Sequence, residues 1–291
     1  MDKHIVLYSA DLHGNEVQYQ KLVDFAIKNS VDSVIIGGDI APKGDSNNYL
    51  EKQKEFIQII LPQLLAPLKE HLPKLKIFII MGNDDCAANL KQLEENDPEL
   101  YTLIHNKRLS LAKGFEIVGY SYVPITPFGI KDWEKFDLTT PPAGVVEEYQ
   151  KRKESYRFEG YKTDEYGWHA FKFTPEMKID SIQIDLREEL FTDNAQKTIY
   201  VIHSPPNDTN LDQIEGGKHV GSFAVRQFIE EEQPYATLHG HVHETVHVSG
   251  SFKDKIGKTY CFSPGNDNVG SDLVVLVFNL YDLDSIRRVI L

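Results

Sequence analysis

Five times along this 291-residue chain, an apolar run of strand length stops and an Asp, Asn or His follows at once. The places are Asp11-Leu12-His13, Gly37-Gly38-Asp39, Gly82-Asn83-Asp84-Asp85, His203 and His241-Val242-His243. In open α/β sheets, ligands gather outside the carboxyl ends of the strands. Taken singly, each place is ordinary. An Asp after a strand commonly caps a helix or forms a turn, and a lone His there is commonly a satisfied core residue. Their joint occurrence, with glycines flanking where the backbone must turn sharply, points to one shared site.

The elements between them fit an α/β fold. HIVLYSA (4–10), SVIIGG (33–38) and KIFIIMG (76–82) read as strands, and Glu16–Lys28 as a helix. Tyr49–Leu72 is helical in period, with Pro62 and Pro67 expected to kink or divide it. Strands alternating with helices imply βαβ units and a largely parallel sheet. From Gly114 the texture turns to β, and GFEIVGYSYVP reads as an antiparallel-type strand. Thr126–Thr174, rich in Tyr, Trp, Phe, Lys and Glu, reads as an inserted lobe or cap on a single domain spanning 1–291. A helix at Glu176–Leu190, a strand in TIYVIHSPP (198–206), a helix at Ser222–Glu232 and a strand before His239 follow. The tail from His247 reads as strands separated by Gly, Asn and Asp turns. The expected architecture is two sheets meeting in one sandwich, with helices outside.

Composition narrows the function. With 31 Lys+Arg against 44 Asp+Glu, the net charge of −13 opposes binding to polymeric nucleic acid, which rests on phosphate neutralisation. It leaves room for a small phosphate ester if a cation offsets the charge locally. Two cysteines, Cys86 and Cys261, supply no disulfide framework and fit a reducing compartment. No stretch has the form of a signal peptide or the roughly 18–20 apolar residues of a membrane helix. The expectation is a cytoplasmic protein without a membrane partner.

LHGHVHE (238–244) carries three of the eleven histidines on alternate positions. If the strand continues through them, their side chains share a face, about 7 Å from one to the next. Carboxylate, imidazole and amide oxygen are donors that suit Mn, Fe, Zn or Ni. The set Asp11, His13, Asp39, Asn83, His203, His241 and His243, with one shared carboxylate, would hold two divalent cations about 3.5–4 Å apart. A single zinc needs only three or four such groups. His239, deeper in the strand, is expected to pack or to hydrogen-bond a ligand from behind.

D-x-H, G-G-D, G-N-x-D, a strand ending in His, and G-H-x-H, in that order, resemble the calcineurin-like metallophosphoesterases. SYVPITPFGIKDWEK and HVGSFAVRQFIEEEQP further resemble a prokaryotic branch related to cyclic-nucleotide phosphodiesterases. The resemblance implies a four-layer αββα sandwich with a binuclear centre. Asp11, His13 and His243 would bind one metal, Asp39 would bridge, and Asn83, His203 and His241 would hold the second. It also implies a metal-bound hydroxide attacking phosphorus in line, with no protein nucleophile. Cys86 and Ser204 are then bystanders.

One position departs from that pattern. Most members of that family have His after Gly-Asn, where it contacts phosphate and helps protonate the leaving oxygen; here the residue is Asp84. A carboxylate beside two cations is a poor proton donor and repels phosphate. Asp84, with Asp85, is equally readable as a cap for a helix starting near Ala87. The enzyme then favours good leaving groups, or takes its proton from another group such as His105, His169 or His219, or is a non-catalytic metal-binding scaffold that retains the fold. Arg226, near a helix start, is a candidate phosphate contact or a surface residue. In the lobe, Trp133, Tyr149, Tyr156, Phe158, Tyr161, Tyr166, Trp168 and Phe171 read as its own small core, a stacking surface or a contact compatible with a homodimer. KRKESYR reads as a solvated helix face.

Overall fold

Alternation within the apolar strands decides the layering. In strands Ile5–Ser9, Ser33–Gly37 and Lys76–Ile80, the side chains of Leu7, Val34, Ile36, Ile77 and Ile79 pack against helices, while Val6, Tyr8, Ile35, Phe78 and Ile80 face the other way. Both faces are buried, as a near-continuous apolar run demands of a parallel strand. The computed structural model describes residues 3–44, 48–95, 98–266 and 270–291.

Two six-stranded mixed sheets result. The first runs in the order Asp282–Ile290, Val274–Asn279, Ile5–Ser9, Ser33–Gly37, Lys76–Ile80 and Thr102–Leu103. The second runs Lys253–Ile256, Thr259–Phe262, Ala236–Leu238, Thr198–Ile202, Phe115–Tyr120 and Arg108–Ala112. The inner faces meet through Val6, Tyr8, Ile35 and Phe78 from one sheet and Ile117, Ile199, Val201, Leu238 and Phe262 from the other. Each such buried side chain contributes roughly 1.5–3 kcal/mol.

Helix Glu16–Asn29, started by the Asn15 side chain accepting from the Gln18 N–H, covers the first sheet through Tyr19, Leu22, Val23 and Ala26. Helix Phe223–Glu232, capped by Ser222, covers the second through Val225, Phe228 and Ile229. The architecture is therefore helix, sheet, sheet, helix: the expected four-layer sandwich.

Several local expectations are corrected. The helical stretch from Tyr49 is continuous, with a π-turn at Phe56–Ile60 just before Pro62, whose missing N–H makes that a place where the ladder loosens; Pro67 stays inside helix Leu61–His71. Glu176–Leu190 is not one helix. A 3₁₀ turn, Pro175–Ile179, ends at Asp180, Ser181 pairs with Phe136, and its hydroxyl caps a new turn at Ile182–Ile184 that runs into a π-turn, Asp185–Glu189. The strand GFEIVGY is antiparallel to Arg108–Ala112 but parallel to Thr198–Ile202.

Within 126–174 lie helix Val146–Lys153 and the hairpin Glu159–Asp164/Gly167–Lys172. Phe158 and Phe171 pack on a small core of Ile125, Phe136 and Phe173. Trp133 and Tyr149 are buried, whereas Tyr161, Tyr166 and Trp168 stay exposed. The reading of KRKESYR as a solvated face fails at Arg152. Its guanidinium is buried and donates to the carbonyls of His219 (2.8 Å) and Gly221 (2.7 Å).

Candidate metal centre

The parallel strands of both sheets end at one edge of the sandwich, and the loops leaving them carry all seven expected ligands into a single cluster. Asp11 and His13 leave the first strand, Asp39 the second and Asn83 the third; His203 and the His241–His243 turn leave the second sheet.

These loops are not ordinary turns. Asp11, His13, Asp39 and His241 all hold positive φ, at 60°, 44°, 52° and 68°. A backbone so placed is costly for non-glycine residues and persists only where its surroundings fix it. The N–H of Asp11 donates to the Gly38 carbonyl (3.0 Å) and that of His13 to the Asp39 carbonyl (2.8 Å), lacing the first two loops together. Glycine is required where loops touch. A Cβ on Gly82 would lie 2.3 Å from the Asp39 Oδ1, and one on Gly38 (φ 102°) 2.5 Å from the His203 Nδ1.

One polar group follows another across the cluster. His13 Nε2 lies 3.4 Å from His243 Nε2 and 3.6 Å from Asp39 Oδ2. Asp39 Oδ2 lies 3.4 Å from His203 Nε2. Asn83 Oδ1 lies 3.2 Å from His203 Nε2 and 2.6 Å from His241 Nδ1. Asp11 Oδ1 lies 3.7 Å from His243 Nε2 and accepts from the His241 N–H at 3.0 Å. Asp11, His13, Asp39 and His243 each place one ligand atom within 4.8 Å of the others, an arrangement that could hold a metal ion. His203 Nδ1 faces the Gly37 carbonyl at 2.8 Å, which turns Nε2 toward the carboxylates.

Burial works against charge on these imidazoles. It takes His13 and His241 down to about 3. At His203 the charges of Asp39 and Asp11 outweigh burial and raise the value to about 9. Burial also pushes Asp39 upward, but His203 and His13 overcome it and hold the carboxyl below its usual range. The uncharged His13 and His241 beside an ionised Asp39 fit the donor demands of a divalent cation, whereas His203, charged by its carboxylate neighbours, would release its proton on binding one. A buried His13 Nδ1 without a hydrogen-bond partner is compatible with a side chain directed by Nε2.

The strand expected to run through LHGHVHE stops at Leu238. His241 instead lies in a left-handed turn and His243 in the turn before helix Thr245–Ser249, so turn geometry rather than strand alternation brings them to the site. His239 is fully buried away from the cluster. Its Nδ1 lies 2.9 Å and 3.0 Å from the Ile202 and Ser204 carbonyls, and its Nε2 lies 2.7 Å from the Thr237 hydroxyl.

Asp84 and Asp85 do not cap the helical segment after Ala87; the Ala87 N–H donates to Asp132 (2.8 Å), from the far side of the chain. Asp85 accepts from Gly82 (2.8 Å), Ala41 (2.9 Å) and Ile40 (3.1 Å), binding the second loop to the third. The Asp84 side chain pairs with Lys43 at 2.8 Å. Three other residues reach the site unforeseen. Tyr49 (2.6 Å) and Gln53 (2.8 Å) donate to the Asp84 carbonyl, and Asn266 donates to the carbonyls of Ala10 and Asp11, each at 3.2 Å. Lys43 follows the GGD motif by four positions, a signal available in the sequence.

The candidate proton donors lie elsewhere. His105 Nδ1 accepts from the Ser121 N–H (3.1 Å) among Tyr120, Tyr122 and Trp133. His169 sits on the exposed hairpin, and His219 is paired with Asp212 at 2.7 Å. Arg226 pairs with Glu230 (2.8 Å) and donates to the carbonyls of Asn207 and Asp208. Cys86 and Ser204 are buried. Beside His241 opens a cavity of about 190 Å³, lined by Pro124, Ile125, Phe128, Tyr156, Val220 and Val242 among others.

A family model described as calcineurin-like phosphoesterase matches residues 5–245. The chain belongs to the calcineurin-like phosphoesterases. No curated protein matches it. Among solved structures, it is similar to TT1561 of Thermus thermophilus, with 14% identity, 99% of each chain covered and a TM-score of 0.55. It is also similar to a dimetal phosphatase from Danio rerio, with 10% identity, 96% of each chain covered and a TM-score of 0.54. At these identities the likeness shows the fold. Among the described residues no helix is long and apolar enough to cross a membrane.

Proposed function

We propose that this protein is a metal-dependent hydrolase of a small phosphodiester or phosphomonoester, acting at a binuclear centre in the cytoplasm. The observation that carries the reading is the convergence of seven metal-type donors from the strand ends of both sheets. Asp11, His13 and His243 would surround one cation and Asn83, His203 and His241 the other, with Asp39 between them. Divalent ions bound there supply a water of lowered pKa and neutralise charge on the phosphoryl oxygens.

The chain's own groups set the geometry. Gly37 holds His203 in one orientation, and the Asp84 N–H donates to Asp39 Oδ1 (2.8 Å), leaving Oδ2 toward His13 and His203. The apolar cavity beside His241 is suited to the ester's organic group. Its roughly 190 Å³ is below the ~300–1,000 Å³ of pockets for drug-sized ligands, so a group of about one ring fits best. Residues 126–174 supply Phe128 and Tyr156 to that wall and would act as the lobe that selects substrate.

The test is hydrolysis of bis-p-nitrophenyl phosphate with Mn²⁺, beside Asp39→Asn. We expect turnover by the wild type and a loss of at least about a hundredfold in the variant, as for removal of a group that stabilises the transition state. A wild type that binds Mn²⁺ but hydrolyses neither diester nor monoester would favour the scaffold reading instead.

A further inference from the structure

We propose that Lys43 and Asp84 together form a phosphate-binding group, with Asp84 holding the Lys43 ammonium at the mouth of the metal cluster to take a non-bridging phosphate oxygen. The identity of the ligand rests on the phosphoesterase reading above.

Asp84 sits between the two. Its Oδ2 lies 2.8 Å from Lys43 Nζ and 3.9 Å from His13 Nδ1, and its Oδ1 accepts from Asn83 Nδ2 at 3.2 Å. The backbone leaves this side chain little choice of direction. The Asp84 N–H is fixed on Asp39, and its carbonyl on Tyr49 and Gln53.

A third carboxylate this close to Asp11 and Asp39 would repel an incoming phosphate. Lys43 reverses that sign locally. Its ammonium carries three donors, and Asp84 is its one ion-pair partner among the described residues. The Lys43 side chain is 47% exposed while that of Asp84 is 19% exposed, so the anchor is recessed and the lysine is open to solvent. Asp84 stands at the position where the family resemblance calls for a phosphate-contacting His, and it is paired with Lys43. The pair replaces that residue's charge with a lysine from the neighbouring loop. A lysine serves here as a point charge, which suits phosphate without demanding a fixed fork geometry.

The experiment is calorimetric titration of inorganic phosphate into Mn²⁺-loaded protein, with metal content measured for every variant. Lys43→Met should weaken phosphate binding at least about tenfold, the scale of one charge-assisted contact, with metal content unchanged. Lys43→Arg should stay within a few-fold of wild type. In an Asp84→Asn background, Lys43→Met should cost much less, because an unanchored ammonium contributes little.

Unchanged phosphate affinity in Lys43→Met would overturn the proposal and leave the pair a surface ion pair. An equal loss in both backgrounds would overturn the anchoring role of Asp84, and a wild type that binds no phosphate would overturn the whole. Ester hydrolysis is scored separately. A protein that binds phosphate through Lys43 yet cleaves nothing upholds this inference while the enzymatic reading falls.

Discussion

At the scale of single residues, the site is a set of unfavourable conformations held by their neighbours. Asp11, His13, Asp39 and His241 all adopt left-handed backbone, and Gly82 and Gly38 leave space that no other residue leaves. Gly82→Ala should therefore destabilise the protein by about 1–3 kcal/mol, the usual cost of overpacking, and lower its metal content, since its methyl group meets the Asp39 carboxylate. Urea unfolding and metal analysis read both effects. Which residues meet in the cluster was legible in sequence because residue type and order carry it: D-x-H, G-G-D and H-x-H announce metal-type donors whatever the backbone does. The conformation of His241 was not legible. Strand alternation and a left-handed turn both bring His241 and His243 to one place, and the turn is tied to the first loop by the His241 N–H donating to Asp11 and by Gly240 lying close against Ala10 and Asp11. The role of Asp84 was hidden for another reason, since its partner lies in a different loop.

At the scale of elements, the strands and the two long covering helices follow from local pattern, and the misread elements are those whose form depends on distant partners. Ser181 breaks the expected helix because Phe136 pairs with it. Arg152 reads as a solvated cation in a charged run, yet two carbonyls of the 219–221 segment take its donors. Arg152→Met removes the guanidinium that lies over the Phe223 ring together with its charge, leaving the buried Gly221 carbonyl and the part-buried His219 carbonyl without that donor. We expect a loss of about 1.5–3 kcal/mol, the scale of hydrogen bonds to a charged group, with limited proteolysis accelerated around helix Val146–Lys153. The cavity wall is an element-scale feature too. Phe128→Ala should raise KM for aryl esters while leaving that for methyl esters nearly unchanged, because the small alcohol does not reach the wall.

For the whole molecule, pH acts, and a bound metal would act, through groups far apart in the chain. Burial holds His105 at about 3, with Lys135 adding to the effect, and its Nδ1 is an acceptor that protonation would turn away from Ser121. The free imidazole binds its proton near 6.5, so between about 6.5 and 3 the unfolded chain takes up more protons than the folded one. The stabilising contribution of His105 is whole above about 6.5 and is lost as pH falls toward 3. His105→Gln, which keeps an acceptor, should flatten that part of the pH profile of urea unfolding. Mn²⁺ should raise the wild-type Tm by several degrees and that of Asp39→Asn far less, because a ligand bound only to the native state stabilises by mass action.

The donors also divide unevenly along the chain. Asp11, His13, Asp39 and Asn83 precede residue 140, whereas His203, His241 and His243 follow it. The cluster is thus a rivet between two lengths of polypeptide that share both sheets. A chain cut at Gly144, an exposed position with open space around it, becomes a two-piece protein in which neither fragment holds a full ligand set. Reassembly of residues 1–143 with 144–291 should then be driven by the divalent ion, and chelation should release the halves.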